Sequence, residues 1–223
     1  MVKAQKRLTK REKKEDKFVT FYFQAQDFVK KYSSKIISGA VGVTVVFSLF
    51  MFLRSQSAGK EEEAVAILLQ ARLEHLEGDL EAAVPMFQSL IDTYGGTSTA
   101  KSANFHLANV FFEQGNYTYA EQHFLLYIEN GADDILKTSS VAGIAACYEQ
   151  QKKYEEAGRK YEEAANRYGV NFMEPSHLIG AARCYKLAGL EQEATRVLKK
   201  FLKRHEKSDL RESAELLLAE LSS

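Results

Sequence analysis

The sequence has few of the cysteines that stabilise small secreted folds and little of the alternating pattern that is typical of β-strands. Its two cysteines, Cys147 and Cys184, are too few for a disulfide framework. We expect both to be buried and to act as small hydrophobic side chains. No stretch alternates apolar and polar residues with a period of two over a useful length, so no strands are predicted. The chain is therefore expected to be all-α.

Motifs of catalysis and cofactor binding are lacking as well. The five histidines form no His-Glu-x-x-His motif and no notable pair with another metal-binding residue at helical spacing. No Ser/His/Asp set, glycine-rich cradle or pair of carboxylates stands out. We expect a protein that is not an enzyme, with no catalytic residues, no cofactor and no metal.

The formal net charge of the chain is zero, but basic and acidic residues are segregated along it. Residues 1–35 hold eleven Lys/Arg and four Asp/Glu, a net charge of +7, whereas residues 60–223 hold eighteen and twenty-six, a net charge of −8. Such segregation indicates that the two ends have different surroundings. The acidic body argues against nucleic acid as a partner, because neutralising phosphates requires a basic face.

An uncharged apolar run, residues 36–53, separates the two charged parts. A helix of this length spans about 27 Å, close to the roughly 30 Å hydrocarbon core of a bilayer. We predict one transmembrane helix over residues 36–54, with the basic N-terminus in the cytoplasm and the body across the membrane. A cleaved signal peptide is the alternative, although such peptides have a short basic segment and a shorter apolar run.

The basic segment, residues 1–35, carries aromatic side chains such as Phe21, Tyr22 and Tyr32 at helical spacing. This pattern predicts an amphipathic helix on the cytoplasmic membrane surface, with its lysines and arginines near anionic headgroups. A short helix with aromatic anchors and no binding role explains the pattern equally well.

A repeat of 37 residues organises the body, residues 60–223. Three kinds of residue recur in phase: a small residue in a first helix, a glycine at a turn, and an alanine followed by a large apolar residue in a second helix. The first-helix alanines are Ala71, Ala108, Ala145 and Ala182; the turn residues are Gly78, Gly115, Lys152 and Gly189; the second-helix alanines are Ala83, Ala120, Ala157 and Ala194. We predict four helix–turn–helix repeats, followed by a C-terminal capping helix.

The stretch YGGTSTAKS, residues 94–102, lies one substitution from a phosphate-binding loop. A P-loop follows a strand, and none is predicted here. The repeat pattern instead makes Gly95 the end of a second helix, where a left-handed conformation is expected, and makes Lys101 and Ser102 the start of the next helix. No nucleotide binding is expected.

The repeat pattern resembles the tetratricopeptide repeat, although each copy is three residues longer than usual. Two departures mark the first copy: Glu74 stands where later copies have an aromatic residue, and Pro85 lies inside the second helix, which it is expected to kink or fray. The whole plan resembles the YfgM-like ancillary subunits of the bacterial SecYEG translocon. That resemblance implies a periplasmic, chaperone-like domain anchored in the inner membrane.

Two surfaces are predicted to bind partners. Helical solenoids present their first helices along a concave surface, and here we expect a peptide-binding groove with Phe105 and Phe112 as exposed aromatic anchors. Its predicted residues are Leu68, Arg72, His75, Phe105, Asn109, Phe112, Glu113, Ala142, Ala146, Glu149, Ile179, Arg183 and Lys186. Within the apolar run, Ala40, Thr44 and Ser48 form a face of small residues on which another membrane helix could pack.

Two functions follow from these features. The first is a translocon-associated interaction protein that holds exported or unfolded chains or bridges to periplasmic chaperones, with the lipid bilayer as a further partner. The second is a structural scaffold of another envelope complex, for outer-membrane assembly or division. The sequence does not separate them, and self-association stays open.

Overall fold

The computed structural model describes residues 10–167 and 172–222, without the side chains of residues 10–18, 25, 27–29, 34, 36–37, 40 and 53–57. Every regular element in these ranges is an α-helix, which confirms the predicted all-α class. The helices are α1 (Lys10–Glu77), α2 (Leu80–Tyr94), α3 (Ser98–Glu113), α4 (Tyr117–Asn130), α5 (Asp134–Gln150), α6 (Tyr154–Asn166), α7 (Glu174–Leu187), α8 (Glu191–Arg204) and α9 (Arg211–Glu220).

The chain divides into two compact units, residues 1–56 and 57–223. In the first unit, α1 carries the apolar run, and Val43, Phe47 and Phe52 are among its large side chains that are more than half exposed. Residues 1–9 of the basic segment and the side chain of Ala40 lie outside the described residues. Within the part of the chain that is described, no helix is long and apolar enough to cross a membrane.

The second unit is a solenoid of helix–turn–helix repeats, as predicted. The end of α1, from residue 57, forms the first repeat with α2, and the pairs α3/α4, α5/α6 and α7/α8 form the next three. From α2 onward each helix packs against the next one, and α3 also contacts α5. The helix α9 packs against α8 through Ala214 and Leu217, so it closes the C-terminal end of the solenoid as predicted.

The turns inside the repeats share one hydrogen-bonding pattern, which explains the periodic glycine. Gly78, Gly115 and Gly189 have φ of +85°, +76° and +74°, a left-handed conformation that glycine adopts without a steric penalty. Lys152 takes the same conformation with φ of +61°. The N–H after each of these residues bonds to a carbonyl five residues back, as in Asp79 to Glu74 at 2.9 Å, and so satisfies a carbonyl at the helix end.

The core of each repeat is formed by the small and large residues that recur in the sequence. All eight periodic alanines are at most 1% exposed, and Phe87, Phe124 and Leu198 are buried against them. Burying a side chain of this size stabilises the fold by about 1.5–3 kcal/mol. Small residues on first helices thus let the second helices approach closely, and the large residues fill the space between them.

Two expectations from the sequence fall on the first repeat, at Gly95 and Pro85. Gly95 is right-handed, with φ of −52° and ψ of −21°, so the predicted left-handed helix end is wrong. Glycine is favoured there for a different reason, since an added Cβ would lie 2.8 Å from the carbonyl oxygen of Ile91. Pro85 lies inside α2, which continues from Leu80 to Tyr94 around it.

Candidate functional site

The thirteen residues predicted to line the groove lie on α1, α3, α5 and α7, the first helices of the four repeats. We call this set the first-helix surface. Its members range from exposed to half-buried, and none is fully buried. Leu68, Ala142, Ala146 and Ile179 are half-buried, and Leu68 and Ile179 also pack against the hydrophobic core of their repeats.

The two phenylalanines expected to be exposed anchors are instead half-buried, and that expectation is wrong. The ring of Phe105 lies 6.0 Å from that of Phe124 and 5.9 Å from that of Tyr127, both on α4. The ring of Phe112 packs against that of Tyr117, with 5.6 Å between the ring centroids. Both rings belong to the cluster that holds α3, α4 and α5 together, because the apolar faces of these helices meet there.

Several ionisable residues of the first-helix surface pair across neighbouring repeats or with the capping helix. His75 Nε2 lies 3.0 Å from Glu113 Oε1, which links α1 to α3. Arg183 donates to Glu149 at 2.9 Å, which links α7 to α5. Lys186 forms an ion pair with Glu220 of α9. These contacts form a ladder along the solenoid.

Two members of the surface have polar groups with other roles. Asn109 donates to the carbonyl oxygen of Phe105 at 2.7 Å, within its own helix. Arg72 is exposed, and its charge adds to the effect of burial, which lowers the pKa of His106. The surface therefore combines half-buried aromatic rings, small residues and paired polar side chains.

The two cysteines have the environment that the sequence predicted. Both are buried and free. Burial, together with Glu121 near Cys147 and Glu149 near Cys184, raises the pKa of each thiol to about 12. Because the thiolate is the reactive form, both thiols are poor nucleophiles at neutral pH. In the described part of the chain, no cluster of His, Cys, Asp and Glu could hold a metal ion.

The stretch that resembled a P-loop is occupied by the chain itself. It follows helix α2 rather than a strand, and Thr97 caps α3 by accepting from the N–H of Ala100 at 3.0 Å. Glu61 of α1 accepts hydrogen bonds from the N–H groups of Ser98 and Thr99, both at 2.9 Å. A carboxylate thus sits where a phosphate would bind a helix N-terminus. Sequence reasoning missed Glu61, because the glutamates at 61–63 look like a solvated helix face.

The predicted membrane-packing face is described only in part. Thr44 and Ser48 are exposed on α1, and the Thr44 hydroxyl donates to the carbonyl oxygen of Val41 at 2.8 Å. A shallow apolar groove lies on the same helix, and its lining differs from the predicted set. It is lined by Gly39, Gly42, Val43, Val46, Phe47 and Phe50.

Solved structures with this architecture contain tetratricopeptide-like repeats. The repeats of a protein described as a kinesin light chain from Podosopora anserina superimpose with a TM-score of 0.57 at 15% identity, over 72% of this chain and 86% of that one. PilF of Pseudomonas aeruginosa superimposes with a TM-score of 0.54 at 17% identity, over 73% of this chain and 69% of that one. At these identities the likeness establishes the fold alone.

Sequence comparison assigns the family. No curated protein matches the chain significantly. The model of the tetratricopeptide repeat-like domain matches residues 26–174, which is more than half of the chain. Repeats of this kind are scaffolds for protein–protein interaction, and they present extended binding surfaces. The chain belongs to the tetratricopeptide repeat-like domain family.

Proposed function

We propose that the chain is a membrane-anchored protein-interaction module, with its repeat domain in the bacterial periplasm and its basic N-terminus in the cytoplasm. The observation that carries this is the order of charge along the chain: net +7 over residues 1–35, no charge over residues 36–53, and net −8 over residues 60–223. Basic residues concentrate on the cytoplasmic side of membrane helices. The family match supports the organisation, because residues 26–174 include the apolar run together with the first repeats.

The partner in this proposal is the Sec translocon with the chains it exports, for which the module acts as a chaperone-like subunit. An exported chain emerges unfolded, so a surface that holds it needs both apolar and polar contacts. The first-helix surface supplies the half-buried rings of Phe105 and Phe112 beside the paired polar side chains of His75, Glu113 and Arg183. The resemblance to the YfgM-like subunits supports the same assignment.

A structural scaffold for another envelope complex, in outer-membrane assembly or division, is the second candidate. The observation that favours it is the ladder of internal pairs, such as Glu149 with Arg183 and Lys186 with Glu220. Charges that are already paired within the fold are presented in one fixed arrangement. Such an arrangement suits one fixed partner better than many unrelated chains.

Site-specific photocrosslinking in living cells separates the two candidates. A photoreactive amino acid replaces Arg72 on the first-helix surface, and a matched control replaces Lys199, which is exposed on α8. The proposal predicts that position 72 crosslinks to translocon subunits and to many unrelated exported chains, whereas position 199 does not. A fixed, stoichiometric set of envelope proteins at position 72 would support the scaffold. Equal recovery at the two positions would contradict both candidates.

A further inference from the structure

One helix face is covered in every later repeat and open in the first. Each later first helix carries four buried or half-buried positions on the side that meets the second helix of the preceding repeat. In α3 they are Ala103, His106, Leu107 and Val110; in α5 they are Ser140, Gly143, Ile144 and Cys147; in α7 they are His177, Gly180, Ala181 and Cys184. All twelve are buried except His106 and Gly143, which are half-buried. Counting back 37 residues from α3 places the same positions of α1 at Ala66, Leu69, Gln70 and Leu73.

In each later repeat, one aromatic side chain fills the second of these positions. The ring of Phe87 on α2 stacks on His106 with 5.9 Å between the centroids. A Cβ added to Gly143 would lie 2.4 Å from Cζ of Phe124 on α4, and one added to Gly180 would lie 3.3 Å from the Tyr161 ring on α6. The face is therefore a repeated socket for an amphipathic helix.

The same face in the first repeat is exposed. Leu69 and Leu73 are 59% and 49% exposed, although Val110, Cys147 and Cys184, the equivalents of Leu73 at the fourth of these positions, are fully buried. Val65 and Leu76 extend the exposed apolar strip to both sides, at 50% and 77%. Single exposed leucines are ordinary, but a contiguous apolar strip marks an interaction surface. We call Ala66, Leu69, Gln70 and Leu73 the open socket.

We propose that an amphipathic helix of a partner protein docks in the open socket, in the place that α2, α4 and α6 take on the later repeats. The partner helix carries large apolar side chains on one face and basic residues at its flanks. Glu62 lies one turn before Ala66, Glu77 lies one turn after Leu73, and both are exposed. Basic side chains on the partner would complement these carboxylates. A second copy of the chain fits less well, because its own repeat domain carries a net charge of −8.

This proposal concerns a surface on the outer side of the first repeat, and it does not depend on membrane location or on the first-helix surface. Its test uses a lactam-stapled peptide with the α2 sequence, residues 80–94, which is the helix that covers the equivalent face of α3. Pro85 is replaced by Ala, and Glu81 and Asp92 are replaced by Lys. A second peptide keeps Glu81 and Asp92 and serves as the acidic control.

Binding of both peptides to the purified full-length chain is measured by fluorescence anisotropy at low and high salt. Leu69→Gln/Leu73→Gln should weaken binding of the basic peptide at least about tenfold. Leu125→Gln/Leu126→Gln removes two leucines that are 41% and 42% exposed on α4, and it should leave binding unchanged. The acidic peptide should bind more weakly, and salt should reduce the difference. Glu62→Lys/Glu77→Lys should reverse the preference between the two peptides.

Melting curves establish that each variant is folded. Small shifts in melting temperature are expected, because the substituted side chains are exposed. Equal affinity of the Leu69→Gln/Leu73→Gln variant and the unaltered chain would overturn the proposal, as would the absence of saturable binding. Sedimentation velocity supplies one further outcome. A dimer that Leu69→Gln/Leu73→Gln abolishes would assign the open socket to a second copy of the chain and would overturn the proposal for a partner helix.

Discussion

The carboxylate of Glu61 accepts two hydrogen bonds from Thr99, one from the hydroxyl group at 2.6 Å and one from the N–H at 2.9 Å. Burial alone would raise the pKa of Glu61, but these bonds, a third from the Ser98 N–H and the charge of Lys101 lower it below its usual value. An anion at a helix N-terminus also interacts favourably with the helix dipole. A residue of the first repeat therefore fixes the start of the second.

The first prediction is that Glu61→Ala lowers the free energy of unfolding by about 1 kcal/mol, because α3 loses this N-terminal partner. Urea denaturation followed by circular dichroism measures the change. Glu62→Ala is the matched control, since Glu62 is exposed on the adjacent position. If the two variants unfold at the same urea concentration, the Glu61 contact contributes nothing to stability.

The second prediction concerns pH. Burial, assisted by the charges of Arg72 and His75, lowers the pKa of His106 to about 4. The unfolded chain, with an ordinary histidine pKa of about 6.5, binds a proton first as pH falls. The contribution of His106 to stability is therefore complete above about pH 6.5 and is lost as pH falls towards 4, by up to about 3 kcal/mol.

Unfolding titrations between pH 7 and pH 4 measure this loss, and His106→Leu should make the dependence on pH shallower. Some dependence should persist, because burial also lowers the pKa of His123 and of His177. An unchanged slope in His106→Leu would show that His106 is not responsible.

The third prediction concerns the one turn of the repeat series that lacks glycine. Lys152 has φ of +61°, a conformation that costs a residue with a side chain roughly 1–2 kcal/mol. Lys152→Gly should raise the free energy of unfolding by about 1 kcal/mol, since the greater flexibility of unfolded glycine offsets part of the relief. Gly115→Ala at the equivalent turn is the opposing control and should destabilise. Thermal melts of both variants measure these changes. A lower melting temperature for Lys152→Gly than for the unaltered chain would contradict the prediction.

The fourth prediction tests the socket packing between repeats. Gly143→Ala would place Cβ 2.4 Å from Cζ of Phe124, so the ring or the helix must shift, at a cost of about 1–3 kcal/mol. Gly59 is the control, because an added Cβ there meets nothing within 4 Å. Gly59→Ala should be neutral or stabilising by up to about 1 kcal/mol, as expected for a helical glycine. Similar destabilisation in both variants would mean that contact with Phe124 does not limit residue 143.

The sequence predicts the repeat because its strongest constraints fall on single residues. Ala71 and its three equivalents must be small, and Gly78 stands at a turn with positive φ, so residue type recurs every 37 residues. The residue types at the socket positions cannot be predicted from the repeat in this way. His106 meets Phe87, whereas Gly143 meets Phe124, so the two neighbouring side chains compensate for each other in volume and neither residue type recurs.

Exposure within an amphipathic helix is also hard to predict from spacing. Phe105 and Phe112 share one side of α3, but both pack into the cluster around Phe124, because neighbouring repeats contribute helices to that cluster. Leu69 looks like an ordinary member of an apolar stripe, and its exposure follows only from the place of α1 at the start of the solenoid unit. The position of a helix along the solenoid therefore determines whether such a side chain is exposed, and a local sequence pattern does not contain that information.

Labelling of single cysteines tests the proposed membrane topology most directly. The native Cys147 and Cys184 are buried, so an introduced cysteine dominates the reaction. Ser222→Cys lies at the end of the repeat domain, and Ala4→Cys lies in the basic N-terminal segment. A maleimide that cannot cross the inner membrane should label Ser222→Cys in intact cells and Ala4→Cys only after permeabilisation. Protection of Ser222→Cys in intact cells, with labelling once they are permeabilised, would contradict a periplasmic repeat domain.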